Sequence, residues 1–335
     1  MIATDDIRFF MEMLAIDSTS GKERVMAQWL GNRLSSNSNK VELIEVGDGT
    51  FNLRCSWGTP KVWLCSHCDT VPPYIPPSLD DDWVRGRGSC DAKGQIFSMF
   101  LAAKELETQN VTDFGILILA GEETGSFGAK AYTRDYEGSK AVIVGEPTDN
   151  KMVKASKGTR AFAITIGGKA CHSGYPQLGE SAVMKFVDFI NSLKEYSFPV
   201  DEILGETTWN VGELISDNRQ NILSDRLTFR LYFRTTFASS ETVPEVVKAL
   251  LPKGAEIVDF GGDIPLHYTT FKGFETTTVA FGSDAPRLTK FDKKILCGPG
   301  SIQVAHTDKE YITLGEIEKA ASQYVSFVKK LLNFE

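Results

Sequence analysis

The run Val62-Trp63-Leu64-Cys65-Ser66-His67-Cys68-Asp69 begins with five apolar or small residues and then turns polar. A short stretch that is apolar on both faces reads as a buried strand of a parallel sheet. Phe114–Ala120 and Ala141–Gly145 repeat the pattern, and Ile96–Leu106, between the first two, has helical spacing. Alternating strands and helices predict an α/β unit that gathers its ligands at the carboxyl ends of its strands. Upstream, Thr4 reads as the N-cap of a first helix, and Val25, Met26, Trp29, Leu30 and Leu34 as the apolar face of a second.

From about Lys157 the period changes to two. Phe162, Ile164 and Ile166 alternate with smaller or polar residues, as do Leu227, Phe229, Leu231 and Phe233, which suits half-solvated strands. Val183–Leu193 and Val243–Leu251 carry helical apolar spacing. The order strand, helix, strand, strand, helix, strand predicts a ferredoxin-like α+β unit. After Gly262 the chain reads as returning to the first unit and ending in a helix from about Glu316. The expected fold is therefore α/β, a mixed-sheet catalytic domain (residues 1–156 and 265–335) with an inserted α+β domain over 157–264.

Length and composition support a folded, two-domain chain: 335 residues, 42% hydrophobic, 24% charged. The 44 acidic against 36 basic residues leave a net charge of −8, which argues against a nucleic-acid partner. The apolar stretch around Phe114–Ala120 is far too short to span a bilayer, and the first residues lack the basic and apolar regions of a signal peptide. Six dispersed cysteines do not make a disulfide framework. No membrane association and a cytoplasmic location are expected.

Four histidines exist, at 67, 172, 267 and 306. His67-Cys68-Asp69 ends the first buried strand, where the carboxylate could orient a metal-bound ring; a lone H-x-D is more often incidental. Asp91 sits in the glycine-rich turn Gly86–Gly94 ahead of a helix, where a simple N-cap is the bland alternative. Glu122-Glu123 follows the strand Phe114–Ala120, and Glu146 follows Ala141–Gly145, where a buried charge needs water or a partner. His306 lies in a late loop after Gly298-Pro299-Gly300. Each signal alone is weak; the ordered series is far more specific.

That series resembles the dinuclear zinc hydrolases of the M20 peptidase family, above all the acetylornithine deacetylases and their acetylcitrulline and succinyl-diaminopimelate relatives. The resemblance implies that His67 and Glu146 hold one zinc, Glu123 and His306 the other, and that Asp91 bridges them, with cobalt able to substitute for zinc. It makes Glu122 the general base and Asp69 the carboxylate behind His67. The charges are consistent, since four positive charges from two Zn²⁺ meet the carboxylates of Asp91, Glu123 and Glu146, and one hydroxide completes neutrality. Within the family, Glu at position 146 goes with deacylases and carboxypeptidases, and Asp with aminopeptidases.

The resemblance also makes His172, in Lys169–Gly174, and Asn221 oxyanion-binding residues of the inserted domain, with His172 reaching the partner's site in a homodimer. Arg234 is the candidate for the substrate α-carboxylate, with Arg230 as its rival on the same strand face. His267 is read as a structural or surface residue rather than a ligand, and Asp80-Asp81-Asp82 as a solvated loop. Cys90, Ala92 and Gln95 depart from the commonest family pattern. The function expected is removal of an acyl group from a small N-acyl amino acid in arginine metabolism. An M20-type dipeptidase or carboxypeptidase is the alternative, and a redox protein built on Cys65-x-x-Cys68 or a non-catalytic binder is more remote.

Overall fold

The computed structural model describes residues 2–47 and 49–333. The chain opens with α1 (Thr4–Leu14) and α2 (Glu23–Leu34), then β1 (Lys40–Gly47), β2 (Thr50–Trp57), β3 (Val62–His67), β4 (Ser78–Asp80) and β5 (Trp83–Arg85). It continues with α3 (Lys93–Thr108), β6 (Phe114–Leu119), α4 (Phe127–Asp135), β7 (Ser139–Val144) and β8 (Met152–Ser156). Next come β9 (Gly158–Gly167), α5 (Ala182–Glu195), β10 (Thr208–Ile215), β11 (Arg226–Thr235), α6 (Thr242–Leu250), β12 (Glu256–Gly261) and β13 (Leu266–His267). The last elements are β14 (Thr276–Val279), β15 (Phe291–Leu296), β16 (Tyr311–Thr313) and α7 (Leu314–Leu332). Two compact units result: residues 1–154, 268–277 and 283–335, and residues 155–267 with 278–282.

The first unit is built on a six-stranded sheet of order β1-β2-β6-β3-β7-β15. β6, β3, β7 and β15 run parallel, while β1 and β2 form an antiparallel hairpin edge. All six residues of β3 and of β6 are buried, because helices cover both faces of a parallel sheet. Phe10 of α1 stacks on Phe97 of α3 at 4.6 Å, and Tyr324, Phe327 and Val328 of α7 join the same core. Each such aromatic contributes about 1.5–3 kcal/mol through burial. The capping box of Thr313 and Glu316 starts α7, two residues before the sequence estimate.

The second unit is a four-stranded antiparallel sheet of order β10-β11-β9-β12, the ferredoxin-like arrangement. Phe162, Ile164 and Ile166 of β9 and Leu227, Phe229, Leu231 and Phe233 of β11 face Phe189 and Leu193 of α5 and Val243 and Val247 of α6. Their strand neighbours, Thr228, Arg230, Tyr232 and Arg234 among them, consequently lie on the opposite face.

Three local readings change. Thr4 is the first helical residue and Ala3 the cap, with Asp5 and Asp6 supplying the negative charge that a helix start favours. Val25 is 60% exposed, so the buried face of α2 runs through Met26, Ala27, Leu30 and Leu34. Asp91 does not cap α3; the cap is Ala92, leaving the aspartate free for other work. Among the described residues no helix is long and apolar enough to cross a membrane.

Candidate metal centre

Four loops at the carboxyl ends of the parallel strands bring the site together. His67 is the last residue of β3, with its side chain 1% exposed. Its Nδ1 lies 3.0 Å from the Asp69 carbonyl oxygen and 3.4 Å from Asp69 Oδ1. With Nδ1 donating to Asp69, Nε2 is left for a cation, and it points at Asp91 Oδ1, 3.1 Å away.

Asp69 also orders the glutamate pair. Its Oδ1 accepts the N–H of Glu122 at 3.0 Å, and its Oδ2 accepts the N–H of Glu123 at 3.2 Å and the Ser20 hydroxyl at 3.0 Å. The turn that offers those amides begins at Gly121, whose φ of 67° suits glycine and where a Cβ would lie 1.7 Å from the Phe127 ring. Burial raises the Asp69 carboxyl, but His67 and the amides outweigh it and hold the group below its usual range.

His306 approaches from the loop after β15, in a left-handed conformation (φ 63°) uncommon for a non-glycine residue. Its Nε2 lies 3.3 Å from Asp91 Oδ2 and 3.0 Å from Glu123 Oε1. The two oxygens of one carboxylate therefore face two different imidazoles. His67, Asp91 and Glu123 offer ligand atoms within 4.8 Å of one another. Glu146, 4% exposed after β7, is their electrostatic neighbour: burial, then Asp91, Glu122 and Asp284, push its carboxyl well up against the opposing pull of His67. Glu122 is raised too, by burial and by Asp284, Glu123 and Asp91, with His67 opposing. Among the described residues its carboxylate accepts no hydrogen bond.

The donor set fits a pair of cations. Burial disfavours a charged His67, yet its contacts with Asp69 and Asp91 drive its pKa well up. Hydrogen bonds to Asp91 and Glu123 raise His306 to about 10. Asp91 is held well below the carboxylate range by these same imidazoles, against the effect of its burial. Both imidazoles are thus drawn toward their charged forms by the carboxylates around them, which marks the cluster as one that favours positive charge.

The structure gives two residues of the site parts that the sequence reading had not assigned. Asp284, 1% exposed, adds negative charge beside Glu122 and Glu146. Gln95 stitches two loops: its Nε2 donates to the carbonyl oxygens of Cys90 at 3.1 Å and Pro299 at 2.7 Å. The loop of Glu146 is tied to the same segment, with Thr148 and Asn150 N–H groups donating to the Gly298 carbonyl. The signal for Gln95 was its departure from the commonest pattern of the resembled family, one position before the expected helix Ile96–Leu106; for Asp284 it was an aspartate after a glycine-containing turn.

The remaining candidates lie in the second unit. His172 is exposed, forms an isolated bridge with Ile222, and accepts the Gly174 N–H on Nδ1 at 3.1 Å. Asn221 is its neighbour, its carbonyl accepting from Ser173 N–H at 2.9 Å. Both sit at the Gly167/Arg226 end of the β9–β11 pair, whereas Arg234 sits opposite Thr159 at the other end. Arg234 lies eight positions along β11 from Arg226, about 26 Å. Arg230 is engaged by Glu213 at 3.0 Å and by the Phe260 ring. Arg234 stacks on Tyr232 at 5.1 Å and has no carboxylate partner among the described residues. His267 stacks on Phe237 at 4.1 Å. Cys65 and Cys68 are buried free thiols with pKa values pushed up chiefly by burial, which removes the redox reading.

Residues 63–330 match the family model described as peptidase family M20/M25/M40. A protein of Aspergillus niger named a probable carboxypeptidase is 32% identical over 373 residues, covering 98% of this chain and 90% of that one. A peptidase M20 domain-containing protein of Schizosaccharomyces pombe is 31% identical, covering 96% and 84%. Among solved structures, an aminopeptidase from Bacillus cereus superposes with a TM-score of 0.81 at 23% identity, covering 98% of each chain. An M20 metallo-carboxypeptidase from Sulfolobus solfataricus gives 0.76 at 17%, covering 98% and 99%. At those identities the structural likeness concerns the fold.

Proposed function

The chain belongs to peptidase family M20/M25/M40, and on that premise we propose that it is a two-metal hydrolase cutting the amide bond to an amino acid with a free α-carboxylate, as a carboxypeptidase does. The observation that carries the two-metal reading is Asp91, each of whose oxygens faces a different imidazole beside Glu123. Glu at position 146 and the names of the relatives support a carboxypeptidase. None of the relatives named above carries the acetylornithine assignment or a place in arginine metabolism. N-acyl amino acids share the scissile bond and the free carboxylate, so a deacylase remains the second reading, on the strength of the motif series.

His67 and Glu146 would hold one metal, Glu123 and His306 the other, with Asp91 between; zinc suits this imidazole and carboxylate set, and cobalt can replace it. Bound there, the metals would polarise the scissile carbonyl and lower the pKa of water. Glu122, whose carboxylate accepts no hydrogen bond among the described residues and whose backbone is fixed by Asp69, takes a proton from the attacking water and passes it to the leaving amine. Arg234 offers its planar fork to the α-carboxylate, and the nearby Lys157 adds positive charge, its pKa lowered by burial and by Arg234 against the pull of Glu206. His172 and Asn221 donate to the developing oxyanion. Their separation of a strand's length from Arg234 supports a homodimer in which the two groups serve different sites.

A panel of N-blocked dipeptides, N-acyl amino acids and their C-terminal amides, assayed with zinc-loaded protein, tests this reading. The expected result is release of the C-terminal amino acid from the acids and little from the amides. Arg234→Lys should raise KM for the acids at least tenfold and leave the amides nearly unchanged. Preferential cleavage of free N-terminal residues from C-terminally blocked peptides would make the protein an aminopeptidase instead.

A further inference from the structure

The buried pair Arg87–Glu310 is absent from the ligand set, yet both residues are 2% exposed and directly behind it. Arg87 Nη1 meets Glu310 Oε2 at 2.6 Å, and Arg87 Nε donates to the Pro73 carbonyl at 3.2 Å. The other carboxylate oxygen, Oε1, accepts the backbone N–H of Cys90 and of Asp91, each at 3.0 Å. Gly86 N–H donates to the Glu310 carbonyl at 3.2 Å, so one residue grips the turn 86–91 at both ends. Burying two charges is a poor way to gain stability, since apolar residues of similar size often do as well. Here the pair places a backbone.

We infer that Glu310, neutralised by Arg87, is the positioning residue that sets the Asp91 carboxylate square to both metal sites. The inference rests on Asp91 being the bridging ligand. A bridge has to serve two ions about 3.5–4 Å apart, so a small rotation of Asp91 weakens both sites together. The guanidinium also cancels the Glu310 charge, which would otherwise repel Asp91.

The test is zinc titration of chelator-stripped protein against a competing chromophoric chelator, alongside the melting temperature of the stripped protein and kcat and KM at limiting and excess zinc. Glu310→Gln leaves Arg87 as an unpaired buried cation, and the affinity of both sites should fall about 10–100-fold. Excess zinc should restore much of kcat with KM little changed. The double variant Arg87→Met with Glu310→Gln removes the stray charge, keeps an oxygen for the two N–H groups, and should recover most of the affinity. A purely structural pair would lower the melting temperature without this pattern. Should Glu310→Gln fail to fold, Glu310→Asp keeps the charge, shortens the arm and should show the same affinity loss. Wild-type affinity in either folded variant, or failure of both to fold, overturns the inference. Wild-type protein that binds fewer than two zinc ions would instead overturn the site reading on which it rests.

Discussion

Glu122→Gln should cost about 10²–10⁴ in kcat, or more if one carboxylate handles both proton transfers, while two metals stay bound. The amide occupies the same space, and the Asp69 bond that fixes this turn is made by the Glu122 backbone, not by its side chain. The proposed ligands are left in place, because His67 and His306 each meet Asp91, and His306 meets Glu123, without it. What disappears is a carboxylate beside the cluster that accepts no hydrogen bond among the described residues and is assigned to neither metal. Metal analysis and kcat on the same preparation check this. If Glu122→Gln lost a metal yet kept its activity per remaining zinc, the roles of Glu122 and Glu123 would have to be exchanged.

The second large effect is a recovery of activity. On the proposed reading, His172→Ala should lower kcat about 10²–10³-fold with normal metal content, since it would remove an oxyanion donor and no ligand. Mixed with inactive Glu122→Gln protein, it should regain activity as subunits exchange, because one site of each mixed dimer then combines an intact Glu122 with an intact His172. Random exchange gives roughly a quarter of wild-type activity. The basis is the layout of the second unit, where His172 and Asn221 share one end of the sheet and Arg234 the other. No recovery after exchange has been confirmed by mass spectrometry would refute completion in trans.

The sequence was most readable where burial dictates composition. β3 and β6 are buried along their full length, so their apolar runs could be recognised without a partner in view. Val25 shows the limit: it has the right spacing for the α2 face but ends in solvent, since a helix covers its core with a stripe whose edges periodicity does not define. The hairpin β1–β2 had no such run, because β1 turns alternate residues to solvent and β2 buries the polar Thr50, Asn52 and Ser56 among its apolar residues.

The centre was legible for the same reason that it is chemically unusual. A charge directly after a buried strand, as at His67, Glu122 and Glu146, conflicts with its surroundings unless it has work to do. The parts played by Glu310 and Gln95 stayed hidden because they act through backbone atoms of Cys90, Asp91 and Pro299, and such partners leave no trace in residue spacing. Asp284 stayed hidden because its neighbours, Glu122 and Glu146, come from strands far away in the chain.

Whether Asp91 bridges two metals is decided most directly by anomalous diffraction at the zinc edge from zinc-loaded crystals. Two peaks about 3.5–4 Å apart are predicted, one beside His67 Nε2 and Glu146, the other beside His306 Nε2 and Glu123, with one Asp91 oxygen on each. A single peak, or two peaks with Asp91 bound to neither, would contradict the two-metal centre and the mechanism built on it.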